Sequence, residues 1–248
     1  MARASAHPRR GLIALLACWQ AGCAFDSGGG AASGSPDAAA ALAPADDAAA
    51  GAPDAAQLAG PCPRDEDLLA CLSFDGSTED GSGYPITVEV AGTPTFAAGI
   101  AGQALDAAEG IDITLVETPV LDPPSPLLIE LWARPDSLPA AETRAGLVDN
   151  EGQWGFFVHP GGRVSCTMAG TAAADAVLAV GTWSHLACAY DGVAIRLFKD
   201  GALVGEASAG GALSAGGTDG TAIARNSPSG QYFDGLVDEV RIWRRGSP

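Results

Sequence analysis

Positive charge is scarce in this sequence. Its 248 residues hold 13 Lys and Arg against 30 Asp and Glu, a formal charge of −17. Nucleic acid and anionic membrane faces need clustered Lys and Arg, so both are excluded as partners of the folded part. Long hydrophobic runs are missing too. The run GLIALLA, Gly11 to Ala17, is far short of the about 20 apolar residues that a spanning helix requires. No window of twelve or more residues carries a helical apolar period, which excludes a helix bundle or an alternating α/β fold. There is no Cys-x-x-Cys pair of the kind structural zinc uses, no Gly-x-Ser-x-Gly nucleophile elbow and no phosphate loop. Aromatic residues make up 6 %, and there are three histidines. A hydrophobic fraction of 47 % nevertheless rules out wholesale disorder.

What is present divides into three parts. Residues 1–23 open with Arg3, Arg9 and Arg10 and no acid, continue through the short apolar run, and end in small residues before a cysteine. This resembles a bacterial lipoprotein signal. The resemblance implies export and a lipidated cysteine, Cys23 after Ala21-Gly22, with Cys18 as the alternative. The chain would then be anchored to a bacterial membrane, periplasmic or at the cell surface, and would touch the membrane through that anchor alone. Residues 24–61 are Ala, Gly, Pro, Ser and Asp almost throughout, with five aspartates and no Lys or Arg. Pro and Gly interrupt every candidate run and no apolar stripe exists to bury, so this stretch reads as a flexible tether. Its r.m.s. span would be of order 30–40 Å.

Residues 62–248 carry ten basic and 25 acidic side chains, a balance of −15. Short apolar runs recur from end to end: LLACLSF (68–74), ITVEV (86–90), IDITLV (111–116), LLIELWA (127–133), WGFFVH (154–159), RVSCTMA (163–169), WSHLACAY (183–190), VAIRLF (193–198), ALVGEA (202–207) and LVDEVRIW (236–243). Gly, Pro, Asp and Asn bound most of them, which indicates strands of a sandwich or barrel. Asp191-Gly192 and Asp200-Gly201 supply tight turns and join three of these strands into a meander. Neither face of the first, Trp183 to Tyr190, is polar, which predicts a central strand covered on both sides.

Five segments in order, LACLSFDGSTEDGSG, GIAGQAL, LLIELWARPDSL, GTWSHLACAYDGVAIRLFKDGALVG and FDGLVDEVRIWRR, resemble the laminin-G-like, concanavalin A-like lectin/glucanase domains of bacterial surface and secreted proteins. The resemblance spans about residues 66–245. It implies an all-β jelly-roll sandwich of two antiparallel sheets with the first and last strands close together. Four cysteines lie in this part, and an even count in an exported chain implies two disulfides among three connectivities. The sandwich favours Cys166–Cys188, linking two core strands placed side by side, and Cys62–Cys71, tying the tether's end to the first strand. Related sandwiches carry a structural calcium near the seam of the first and last strands, so the resemblance points to Asp75 and Asp238, with Asp234 and Asp80 as further candidates.

Glycosidases on such folds use paired carboxylates, commonly Glu-x-Asp-x-Glu or Glu-x-Asp-x-x-Glu on one strand. Neither pattern occurs here. His159 precedes Pro160-Gly161-Gly162 and reads as a turn residue; His185 reads as a core hydrogen-bonding group. Trp154 follows the polar turn DNEGQ and Tyr232 follows NSPSGQ. These two are the candidate aromatic platforms for a ligand at a loop end. The expected function is a non-catalytic, lipid-anchored recognition module for a glycan or a cell-surface protein. The alternatives are an envelope assembly component without a small ligand, and a polysaccharide hydrolase with an atypical carboxylate pair.

Overall fold

The computed structural model describes residues 60–150, 152–213 and 219–248. Cys18, Cys23 and the tether up to residue 59 lie outside the described residues. No helix among the described residues is long and apolar enough to cross a membrane.

Two antiparallel sheets face each other. The first has the order β13 (Ala202–Ser208), β12 (Ala194–Lys199), β11 (Ser184–Tyr190), β6 (Leu127–Pro135), β17 (Gly235–Trp243), β4 (Gln103–Ala107) and β3 (Thr95–Ala98). Strand β1 (Leu68–Leu72) also pairs with β17, so the first and last strands are neighbours, as the resemblance implied. The second sheet runs β10 (Thr171–Val177), β9 (Arg163–Met168), β8 (Trp154–Val158), β7 (Ala145–Asn150), β14 (Thr221–Ile223), β5 (Asp112–Leu115) and β2 (Val88–Ala91). A small ladder of β15 (Arg225–Asn226) and β16 (Gln231–Tyr232) flanks it. This is the expected jelly-roll sandwich.

The Asp-Gly turns form as anticipated. Asp200 and Gly201 both take positive φ, 50° and 78°, and they alone connect β12 to β13. That matches the twist of the flanking strands. Asp191 tightens the other turn, its Oδ1 accepting from the amides of Val193 and Ala194 at 2.8 Å each. These amides, together with Arg196, hold its carboxyl down at about 2.

The alternation of strand side chains builds the core. From β11, Leu186, Cys188 and Tyr190 point between the sheets, while Ala187 and Ala189 join a smaller cluster with Leu68, Cys71, Leu128 and Trp243 on the other face. Every residue of β11 is buried. The sandwich reading of its two covered faces therefore holds. Cys62 and Phe198 pack against the smaller cluster.

Both disulfides pair as expected, with Cα separations of 5.9 Å for Cys62–Cys71 and 6.1 Å for Cys166–Cys188. The second differs in placement. Cys166 lies on β9 and Cys188 on β11, in different sheets. It therefore pins the two layers together, face to face instead of side by side. Gly60, counted with the tether in the sequence, is held to the domain: its amide donates to Glu239 Oε1 (2.9 Å) and its carbonyl accepts from Arg241 Nη2 (2.8 Å).

Candidate ligand cleft

A cleft of about 340 Å³ opens on the outer face of the second sheet, where β7, β8 and β9 lie side by side. Its floor follows from the register. Asp149, Gly155 and Thr167 stand in one row across the three strands, and Gly146, Phe157 and Ser165 in the next. Gly155 is the low point: a Cβ there would collide with the Phe157 ring and press on Asp149. Strand β15 (Arg225–Asn226) rides directly over Gly146, whose Cβ would run into the Arg225 carbonyl. Two glycines thus create the depression and admit its overhanging wall.

Polar groups converge on the rim. Arg144 stacks over the Phe157 ring at 3.8 Å and donates from Nη2 to Asn226 Oδ1 at 3.1 Å. Asn226 in turn donates from Nδ2 to Gln231 Oε1 at 2.6 Å. Asp149, buried at 5 % exposure, accepts the Ser227 amide on Oδ2 at 2.8 Å. Thr167, Gln153 and Ser227 also line the cleft. Such a set offers oriented donors and acceptors around a polar depression. A second hollow, lined by Arg144, Thr143, His159 and Gln231 among others, shares Arg144 with the first.

The two aromatic candidates fare differently from their expectation. Trp154 is no exposed platform. It opens β8 and alternates in phase with Phe156 and Val158, so its ring enters the core and it is 2 % exposed. It borders the cleft without offering a face. Tyr232 is half-buried and does not line that cleft; its hydroxyl donates to Asp112 Oδ1 at 2.8 Å, beside the Arg225–Asp112 ion pair at 3.1 Å. The two do not share a groove. Arg144 carried no sequence signal, Phe157 was one aromatic among six with nothing to favour it, and Asp149 read as a solvated turn acid, because the cleft is assembled from four chain segments and its floor is glycine. The period-2 phase of WGFFV was the one available signal, since it sends Trp154 and Phe157 to opposite faces.

The calcium candidates also sort themselves. Asp75 and Asp238 both lie against the Gly99–Gly102 turn. Asp75 Oδ1 accepts the Gln103 amide at 2.8 Å, and Asp238 Oδ2 accepts the Ile100 amide at 2.9 Å. Side chains at Gly99 or Gly102 would collide with these carboxylates. A bulge in β17 turns Glu239 to φ 51°, and Asp238 and Glu239 are both buried in succession. Burial pushes each of these carboxyls up to about 7, with Asp75 adding repulsion. Glu239 pairs with Arg241 at 2.7 Å. Asp80 and Asp234 are occupied elsewhere, by Cys71 and Ser82 amides and by the Ser137 hydroxyl. Among the described residues no group of three or more His, Cys, Asp or Glu is placed to hold a metal ion. Calcium here would therefore take most of its roughly six to eight oxygens from backbone carbonyls and water.

His185 is buried in the core, as read from the sequence, but neither of its ring nitrogens makes the hydrogen bond expected of it among the described residues. It is 3 % exposed, lies 5.3 Å from the Trp132 ring, and burial lowers its pKa to about 4.

Fold and cleft together define an all-β sandwich with two adjoining polar hollows on one sheet. A family model described as the concanavalin A-like lectin/glucanases superfamily, of the laminin G type, matches residues 108–246, and the chain belongs to that family. No curated protein matches the sequence significantly. Among solved structures, domain 4 of AbnA, an extracellular GH43 arabinanase from Geobacillus stearothermophilus in complex with arabinotriose, is 22 % identical with a TM-score of 0.57, covering 73 % of this chain and 94 % of that one. The binding domain of Paraclostridial Mosquitocidal Protein 1 is 15 % identical with a TM-score of 0.61, covering 73 % and 50 %. The receptor binding domain of a botulinum neurotoxin C/D mosaic serotype is 12 % identical with a TM-score of 0.56, covering 73 % and 49 %. This chain spans about half the length of the two toxin domains. At these identities the likeness is one of fold.

Proposed function

We propose that the sandwich is a non-catalytic glycan-recognition module, displayed outside the cytosol on a lipid anchor at Cys23 (or Cys18) and the Ala/Pro-rich tether. The observation that carries this reading is the cleft itself: Arg144, Asp149, Gln153, Thr167 and Ser227 gathered around a glycine floor on an exposed sheet face. The family supports it, and so does a neighbour of the same fold solved with arabinotriose. Hydrolysis of a glycosidic bond takes two carboxyl groups on either side of the sugar. Asp149 is the acid among the described residues lining the cleft, and its Oδ2 is engaged by a backbone amide.

The test is a steric block. Thr167 is half-buried on the outer face of β9, clear of the core, so Thr167→Trp fills the cleft without disturbing the interior. Against a panel of neutral and acidic polysaccharides, the wild-type chain should bind at least one, and Thr167→Trp should weaken that binding at least about tenfold, with stability changed by less than about 1 kcal/mol. Equal binding by both proteins would remove the cleft from the function.

The same reading includes structural calcium at Asp75 and Asp238. At this turn the buried carboxyls of Asp238 and its neighbour Glu239 titrate near 7 when folded, against ordinary values of 3.8 and 4.5. Between about pH 4.5 and 7 the native state therefore holds protons that the unfolded chain has released. Stability falls as pH rises through that window and levels off above it. Calcium replaces those protons, so its stabilisation emerges near pH 7 and above. With chelator, Tm should be about 5 °C lower at pH 8 than at pH 5, and calcium should restore it at pH 8. Asp238→Asn should reduce the pH dependence to the part that Glu239 contributes and abolish the calcium response. Identical melting with calcium and with chelator at pH 8 would eliminate the ion.

A further inference from the structure

Bases are outnumbered in residues 62–248, and most of them are neutralised. Seven of the ten Lys and Arg lie within 4.0 Å of a carboxylate. Arg64, Arg144 and Arg163 have no such partner among the described residues. Two of these three lie on either side of His159, one step beyond the Ala145–Val158–Val164 row of the second sheet. Arg144 stands between the two hollows on the outer face of the second sheet, and Arg163 opens β9 beside His159, whose amide donates to the Arg163 carbonyl at 2.7 Å. After burial, Arg163 and then Arg144 are the charges that hold His159 below its ordinary pKa, so both guanidinium fields reach the same imidazole.

His159 is fixed in turn. Its Nε2 lies 2.7 Å from Ser165 Oγ, in the row that contains Phe157. The Arg144 guanidinium is oriented by Phe157 below it and Asn226 beside it, which spends one of its five donors and leaves the others toward the hollow. In a chain of charge −17, acids in excess would be expected to saturate every surface arginine. Here one acid, Glu142, lines the second hollow, and no ion pair joins it to either arginine.

We propose that this end of the cleft takes an acidic sugar, a carboxylate- or sulfate-bearing residue of the glycan held by Arg144 and Arg163. The inference rests on the glycan reading and narrows it. The overall negative field repels polyanions from the rest of the surface, so attraction is confined to this short-range fork. A guanidinium pairs with carboxylate or sulfate through charge-assisted hydrogen bonds, which neutral sugars cannot match.

The experiment uses the full chain in affinity electrophoresis and calorimetry with four polymers: dextran and arabinan as neutral, polygalacturonate for carboxylate and dextran sulfate for sulfate. Wild type should bind at least one acidic polymer about tenfold more tightly than the neutral ones, weakening on going from 50 to 300 mM salt. Arg163→Gln should lose about tenfold in affinity for the acidic polymer with Tm unchanged, because Arg163 is exposed at the strand's start. The polymer that responds identifies the acidic group. Binding of neutral polymers alone, or acidic binding that Arg163→Gln and salt leave unaltered, overturns the acidic-sugar assignment and keeps the glycan module. Binding of no polymer by wild type overturns both.

Discussion

Arg241→Met is expected to cost about 3–5 kcal/mol of stability, the amount typical of stranding one half of a buried ion pair. Arg241 and Glu239 are buried to 3 % and 1 % exposure and meet at 2.7 Å. Arg241 also donates to the Gly60 carbonyl, so the variant removes one of the two hydrogen bonds that hold Gly60 to the domain. Glu239, already pushed up to about 7 by burial, loses the positive charge that draws its pKa down. Its folded pKa rises further above 4.5, so the variant loses more stability than wild type between pH 5 and pH 8. Urea unfolding at those two pH values reads both effects. The double variant Arg241→Met, Glu239→Leu removes the stranded charge and should recover most of the loss. A single-variant cost below about 1 kcal/mol would mean that the pair is not buried as described.

The second large effect comes from the bond between the layers. Replacing Cys166 and Cys188 together by Ala should lower stability by about 3 kcal/mol, chiefly by releasing a closed loop in the unfolded chain. The separation of 22 residues exceeds the nine of Cys62–Cys71, so loss of the latter pair should cost less. Non-reducing urea titrations of the two double variants make the comparison, and thiol titration of the oxidised wild-type domain should find none of its four cysteines reactive. A larger loss from the Cys62–Cys71 pair would reverse the ranking that loop closure dictates.

Local chemistry made much of this fold legible. Asp200-Gly201 announced a two-residue turn because few residues accept two consecutive positive φ angles, and the runs on either side were apolar enough to be strands. Other strands were silent. TAAADAV forms β10 although alanine has little strand preference; its pairing with β9 decides the matter. Strand β14, Thr221–Ile223, is three residues long and sits between β5 and β7, so its place comes from neighbours distant in sequence.

The site was less legible than the fold. Trp154 drew attention as an aromatic after a polar turn, yet its phase along β8 sends it inward while Phe157 faces the cleft. Gly146 and Gly155 shape the depression by lacking a side chain, a feature without any sequence signature until the register is known. Glu239 was hidden by the β17 bulge, which breaks the alternation that would otherwise place it opposite Asp238.

Hydrogen exchange of the full chain, with and without a saturating glycan from the binding panel, tests the ligand face most directly. Added protection should appear in Ala145–Asn150, Trp154–Val158 and Arg163–Met168 and in the loop from Asn226 to Gly230, with the Gly99–Gly102 turn unchanged. Protection at that turn, with β8 unaffected, would contradict the assignment of the binding surface.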